Sequence, residues 1–135
     1  MKITLIAEDG IRLEPIPGPM TIEAESGDQL YSPFHMLASG LAFCTYSVLA
    51  SWATNAKLGS DDIAIEVRWE FAEDPHRVGS IGMKIDWPSL PPQRQTAATR
   101  VAELCAIHGT LTHSPSVTTT VAGSATPEVA AVGSQ

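Results

Sequence analysis

The chain has little of several residue types, and each shortage argues against a class of protein. Its 135 residues include 2 cysteines, too few for the disulfide framework of a small secreted protein. Lysine and arginine number 8 against 15 acidic residues, so nucleic acid is not an expected partner, because phosphate binding needs clustered positive charge. The sequence also has no glycine-rich phosphate loop, nucleophile elbow or paired-carboxylate motif.

The first ten residues, MKITLIAEDG, have no apolar core followed by a small-residue cleavage site, so no secretory signal is expected. The composition is 44% hydrophobic and 17% charged, which is typical of a globular protein. The length fits one domain. We therefore predict a cytoplasmic protein with a single domain over residues 1–121. A flexible tail should follow over residues 122–135, which are small, polar and without periodicity.

One segment, Leu30–Ala56, is apolar nearly all round. Ser32 and Pro33 suit the N-cap and first position of a helix, which should run to about Asn55, with Gly59 placed to end it. A membrane span needs about 20 apolar residues, so length alone allows one. Because the rest of the chain has the pattern of a complete soluble domain, the prediction is a long, buried core helix and no membrane.

Alternation of apolar and polar residues predicts antiparallel strands before and after this helix, and a shorter amphipathic helix near the end. The pair of strands at 62–73 and 80–87 is the strongest hairpin, with a turn between them. The fold class is therefore α+β, with antiparallel sheets and two main helices. The predicted strands lie at 2–8, 11–14, 21–25, 62–73, 80–87 and 116–121, and the second helix at 93–107.

The two cysteines have two interpretations. Cys44 falls in the middle of the long helix, and Cys105 lies 61 positions later (105 − 44), in the last turn of the second predicted helix. Buried, inert thiols are common in protein cores. The alternative is a redox pair, in which one thiolate becomes a sulfenic acid and the second thiol condenses with it. Cys44 is the better nucleophile if a positive charge reaches it, because a helix C-terminus disfavours a thiolate at Cys105.

A zinc site at Cys105, His108 and His113 is a weaker alternative, because no second pair of ligands has matching spacing. We therefore expect no metal. His35, in the first turn of the long helix, fits a packing or interface residue better than a general base.

Residues 32–44, SPFHMLASGLAFC, resemble the signature of the OsmC/Ohr family, in which a Ser/Asn-Pro start and a run of small residues lead to a reactive cysteine. Cys105, followed by a β-branched strand, resembles the second cysteine of that family. The order of elements is also similar over about residues 1–121. The start of the motif is most similar to a less characterised branch with Ser-Pro-x-Glu, and His35 stands in place of the glutamate.

The resemblance implies an OsmC-like fold in which two chains intertwine as a homodimer, with sites at the interface. It implies a thiol-dependent peroxidase that reduces organic hydroperoxides with a thiol reductant, without cofactor or metal. In this chain Cys44 would be the nucleophile and Cys105 the resolving thiol. Arg12 would activate Cys44, and His35 would shape the site. The alternative is a catalytically weak homodimer that binds a small apolar or thiol-containing ligand at its interface.

Overall fold

The computed structural model describes residues 3–7, 10–13, 32–124 and 128–132. The chain divides into two compact units, Met1–Leu30 and Tyr31–Gln135, and each is described by itself. The architecture is α+β with antiparallel two-stranded sheets, as predicted.

The N-terminal unit contains one antiparallel hairpin. Strand β1 (Ile3–Ala7) pairs with β2 (Gly10–Leu13), and the register places Thr4 opposite Arg12. This confirms the first two predicted strands. The third, at 21–25, lies outside the described residues.

Helix α1 (Pro33–Asn55) begins and ends with local hydrogen bonds that its sequence explains. Ser32 is the N-cap: its Oγ accepts from the His35 N–H at 3.2 Å, and the His35 ring accepts from the Ser32 N–H at 3.2 Å, as in a capping box. At the other end, Lys57 takes the left-handed conformation with φ 58°. The prediction that Gly59 would end the helix is therefore wrong, because Lys57 makes that turn two residues earlier.

Within this chain, α1 buries one face only. Its buried residues recur every three or four positions and point toward β3, α2 and α3: Ala38, Leu41, Thr45, Leu49 and Ala53. Large apolar side chains on the rest of its surface stay 38–39% exposed: Met36, Leu37, Phe43 and Tyr46. The helix is long and apolar enough to cross a membrane by length and composition, a test that a core helix also passes.

The second hairpin forms the sheet on which α1 packs. Strand β3 (Ala64–Ala72) pairs antiparallel with β4 (Arg77–Asp86), close to the predicted limits. Ser80 pairs with Glu70 and Val78 with Phe71, so Gly79 has no partner and forms a bulge. Phe71 lies next to this bulge and is 46% exposed, and its ring packs edge-on against Phe34 of α1.

The second predicted helix is broken. A 3₁₀ turn (Pro92–Arg94) leads into α2 (Gln95–Ala102), the chain leaves the helix at 103–105, and α3 (Ala106–Thr112) follows. The continuous helix predicted over 93–107 is therefore wrong, and Gly109, beyond its predicted end, lies inside α3. Leu104 is 75% exposed because it lies in the break.

The core lies where α1 meets α2 and the end of β4. Its buried members are Leu49, Ala53, Trp87, Ala98 and Ala102. Trp52 packs edge-on against Trp87, with ring centroids 6.0 Å apart. The indole N–H of Trp87 donates to the Gly59 carbonyl at 2.9 Å, so this buried aromatic keeps a hydrogen-bond partner.

The chain ends in a third antiparallel hairpin. Strand β5 (Val117–Val121) confirms the last predicted strand, and it pairs with β6 (Glu128–Val132). Strand β6 falls in the segment that the sequence predicted to be an irregular tail. The domain limit at residue 121 and the flexibility of the tail stay predictions.

The bulge at Gly79 gives a stability prediction. A Cβ at this position would lie 2.6 Å from the Cβ of Ala72, closer than two carbon atoms can approach. We expect Gly79→Ala to lower the free energy of unfolding by about 1–3 kcal/mol, since the hairpin must shift to admit the methyl group. Gly82→Ala, on the same strand with nothing within 4 Å of the added Cβ, is the matched control and should have little effect. Equal urea midpoints for the two variants would contradict this account.

Candidate functional site

The two cysteines, far apart in the sequence, meet where α1 passes the break between α2 and α3. Both are free thiols. Cys44 is half-buried on α1, whereas Cys105 is 1% exposed. The two thiols interact, because each side chain shifts the pKa of the other.

The local backbone explains why Cys105 points at Cys44. Cys105 has φ −58° and ψ 133°, outside the helical region, and is the N-cap of α3. Its Sγ accepts a hydrogen bond from the His108 N–H at 3.5 Å. The sequence placed Cys105 at a helix C-terminus, where the dipole would oppose a thiolate. That placement is wrong, because the break turns Cys105 into the first residue of a new helix.

The surroundings of Cys44 favour its thiolate. Burial raises the pKa of Cys44, but the Cys105 thiol and the backbone N–H groups of Ile107 and Ala106 donate hydrogen bonds to its sulfur. Their combined effect holds the pKa of Cys44 below its ordinary value of 9.0. N–H donors from the start of α3 therefore stabilise the Cys44 thiolate, a role that the sequence predicted for an arginine.

The opposite holds for Cys105. Burial and the hydrogen bond with Cys44 raise the pKa of Cys105 above 9.0. The N–H groups of His108 and Ile107 and the Thr45 hydroxyl oppose this rise but do not cancel it. The pair is thus ordered: Cys44 is the thiol that ionises more readily, and Cys105 is the thiol that holds its proton to higher pH.

Of the other two predicted site residues, His35 lies apart from the thiols within the same unit, and Arg12 belongs to the other unit. His35 precedes Cys44 by nine residues on α1, which is about 13 Å along the helix axis. Its ring contacts Ser32 and packs edge-on against Trp69, with centroids 5.1 Å apart. Arg12 lies on β2 in the N-terminal unit, and its side chain is outside the described residues.

A cavity of about 590 Å³ lies beside the thiols, between α1, β4 and the break. Its lining includes neither cysteine, but Leu41 is one turn before Cys44 on α1, and His108 bonds to Cys105 through its backbone. The lining is mostly aliphatic, with a few polar groups: Leu37, Leu41, Val78, Gly79, Ser80, Ile81, Met83, Ile85, Thr99, Ala102, Glu103, His108, Leu111 and Thr112.

The zinc alternative does not gain support from the fold. Among the residues that the structure describes, no three histidine, cysteine or acidic side chains come together in a group that could hold a metal ion. His113 instead bonds through Nδ1 to the Gly109 carbonyl at 3.1 Å.

Sequence reasoning missed Thr45 and the amide groups at 106–108. Thr45 follows Cys44 directly and is fully buried, and its hydroxyl lowers the pKa of Cys105. A polar residue at a position that repeats the apolar spacing of Leu41 and Leu49 was the available signal for Thr45. The backbone donors depend on the helix break. Residues 103–105 contain no proline or glycine from which that break could have been predicted.

The order of the two thiols can be tested by titration. We expect Cys44 to titrate below 9.0, so its alkylation rate should level off at lower pH than that of an ordinary thiol. Cys105→Ser keeps a hydrogen-bond donor beside Cys44 and should preserve the low pKa, whereas Cys105→Ala removes the donor and should raise it. The measurement is the rate of iodoacetamide labelling against pH. The same Cys44 pKa in both variants would show that the Cys105 side chain has no part in it.

Three comparisons relate this chain to known proteins. No curated protein matches it. In structure it is similar to a crystal structure from Psychrobacter arcticus 273-4, provisionally named an osmotic stress induced and detoxification response protein, with a TM-score of 0.57 and 24% identity. The match covers 62% of this chain and 62% of that protein, and at this identity it shows the fold alone.

A family model described as OsmC-like protein matches residues 26–120, well over half of the chain. The chain belongs to the OsmC-like family.

Proposed function

We propose that this protein is a cysteine-based thiol peroxidase that reduces organic hydroperoxides with electrons from an external thiol. The observation that carries the proposal is the contact between Cys44 and Cys105, with the pKa of Cys44 lowered and that of Cys105 raised. Two inert core thiols have no need of such an arrangement. Membership of the OsmC-like family supports a peroxidase-related or stress-response role in general.

In the first step, the Cys44 thiolate attacks the terminal oxygen of the hydroperoxide. A sulfur–oxygen bond forms, the oxygen–oxygen bond breaks, and the alkoxide leaves as an alcohol after taking up a proton. Cys44 is the thiol suited to this step, because it is the more exposed of the two and its thiolate is favoured by neighbouring donors.

In the second step, Cys105 attacks the sulfenic acid at Cys44. The new sulfur–sulfur bond displaces hydroxide, which leaves as water with the Cys105 proton. The contact between the side chains supports this step, because the resolving sulfur has no large distance to travel. Burial of Cys105 at 1% exposure keeps it from reacting with peroxide itself.

The nearby cavity supports an organic rather than an inorganic peroxide. Its wall of aliphatic side chains, such as Leu41, Ile81 and Met83, suits an apolar substituent. Activation by Arg12 and shaping of the site by His35 stay predictions. The contacts of His35 with Ser32 and Trp69 support a role in fixing the start of α1.

A second candidate function is that of a ligand-binding OsmC-like protein with weak peroxide chemistry. The observation in its favour is that neither cysteine lines the cavity of about 590 Å³. A small apolar or thiol-containing molecule could occupy that space without reaching Cys44. The two functions differ in whether the thiols react.

We also propose that the working form is a homodimer in the cytoplasm. The apolar face of α1 that this chain leaves exposed, including Met36, Phe43 and Tyr46, supports an interface between copies. OsmC-like proteins are generally soluble, which favours α1 as a helix of the core and interface over a membrane span.

Peroxide chemistry can be tested by thiol counting and mass spectrometry. On mixing reduced protein with a slight excess of cumene hydroperoxide, we expect rapid loss of both thiols and a Cys44–Cys105 disulfide within one chain. Cys105→Ser should stop at a sulfenic acid on Cys44 that dimedone traps, and Cys44→Ser should not react. Survival of both thiols over many minutes would rule out the peroxidase and leave the binding function.

The homodimer can be tested by light scattering in the absence of peroxide. We expect a mass of twice the 14.3 kDa chain at micromolar concentration. Phe43→Lys should shift the protein toward monomer, because it places a charge on the exposed apolar face of α1. Asn55→Lys, at the exposed end of the same helix, is the control for charge alone. A stable monomer of the unmodified protein would contradict the proposal.

A further inference from the structure

We propose that Thr45 is a catalytic residue whose hydroxyl makes Cys105 the leaving sulfur when the Cys44–Cys105 disulfide is reduced, so that the external thiol attacks Cys44. This inference rests on the proposed function and extends it to the return half of the cycle. It assigns the path of the electrons and a role to a residue that the peroxide step does not use.

The first observation is the state of the Thr45 hydroxyl. Thr45 is 0% exposed, and among residues 32–124 its Oγ1 has no hydrogen-bond partner of ordinary geometry. Threonines in helices normally bond back to the carbonyl four residues earlier, as Thr54 does to Ala50 at 3.0 Å. A buried hydroxyl without a partner costs stability. Its presence on the core face of α1 therefore needs an explanation other than packing.

The second observation is what the hydroxyl faces. Thr45 follows Cys44 directly on α1, a helix that packs against α3, and its buried hydroxyl favours the thiolate form of Cys105. In the reduced protein Cys105 keeps its proton, so this donor has little to act on. It becomes useful when negative charge forms on Cys105.

The third observation is the difference in access to the two sulfurs. Cys44 is half-buried, whereas Cys105 is 1% exposed and lies behind the start of α3. A thiol from solution must approach a disulfide in line with the bond that it breaks. Cys44 can be approached from solvent, whereas a thiol could reach Cys105 only if the groups that bury it moved.

Reduction of the Cys44–Cys105 disulfide takes place in two exchange steps. The external thiolate forms a bond to Cys44 sulfur, the bond between the cysteines breaks, and its electron pair leaves on Cys105. The Thr45 hydroxyl and the His108 N–H donate hydrogen bonds to that thiolate, which then takes a proton from water. A second reductant thiol attacks the reductant sulfur of the mixed disulfide and releases Cys44. Two thiols of the reductant become one disulfide, and the protein regains both thiols.

The test starts from disulfide formed with diamide, so that it does not depend on any reaction with peroxide. Oxidised protein is mixed with a monothiol, quenched with acid and mapped by mass spectrometry. We expect the adduct on Cys44 and a free thiol at Cys105. An adduct on Cys105, or failure of diamide to form the disulfide, would overturn the inference.

The role of Thr45 is tested by Thr45→Val, which removes the hydroxyl and nearly keeps the shape. We expect reduction of the disulfide to slow about three- to tenfold, the size of one lost hydrogen bond to the leaving sulfur. We expect the melting temperature of the reduced protein to stay the same or rise, because an unpartnered buried hydroxyl is removed. Thr45→Ser, which keeps a hydroxyl at this position, should be reduced at about the same rate as the unmodified protein.

Thr54→Val on the same helix is the matched control and should leave the rate of reduction unchanged, because its hydroxyl bonds to its own helix. Unchanged reduction in Thr45→Val, or slowing that Thr45→Ser does not reverse, would overturn the role of Thr45. Failure of the proposed peroxidase function would give a different result. The thiols would not react with hydroperoxide, but diamide would still oxidise them to a disulfide and the monothiol would still reduce it.

Discussion

The close approach of α2 to α1 is the constraint on which the rest of the structure depends. Ala53 on one helix and Ala98 and Ala102 on the other are buried, and their small side chains let the two backbones come together around Leu49 and Trp87. The end of α2 is thereby fixed against the middle of α1. Only then does the turn that follows α2 carry Cys105 to Cys44, so the chemistry of the pair is a result of packing between alanines.

The same turn creates the difference between the two thiols. In a continuous helix, the Cys105 sulfur would lie near the negative, C-terminal end of the helix dipole and would lack N–H donors. The break instead presents backbone N–H groups of residues 106–108 to both sulfurs, and these donors lower the pKa of Cys44 against the effect of burial. The proton on Cys105 completes the arrangement. An apolar neighbourhood that by itself would disfavour both thiolates thus favours the thiolate of Cys44.

The sequence predicted the parts of the fold whose cause is local. The capping residue Ser32 located the start of α1, and strict alternation located β3 and β4. The sequence-based predictions were wrong at positions where tertiary contacts determine the backbone conformation. Residues 103–105 contain no helix breaker, Lys57 adopts a conformation expected of glycine, and a bulge at Gly79 interrupts the pairing of β3 with β4. The cysteine pair was predicted from resemblance, but the donors that tune it could not be, because they belong to the backbone.

The long separation of the two cysteines along the chain has a consequence for the oxidised protein. A bond between Cys44 and Cys105 would close a loop of 61 residues, which spans the hairpin of β3 and β4 and all of α2. Closing a loop of that length removes disorder from the unfolded chain worth about 4 kcal/mol. The oxidised protein would therefore resist heat and proteases better than the reduced one. Oxidation would therefore convert the protein to its more durable form.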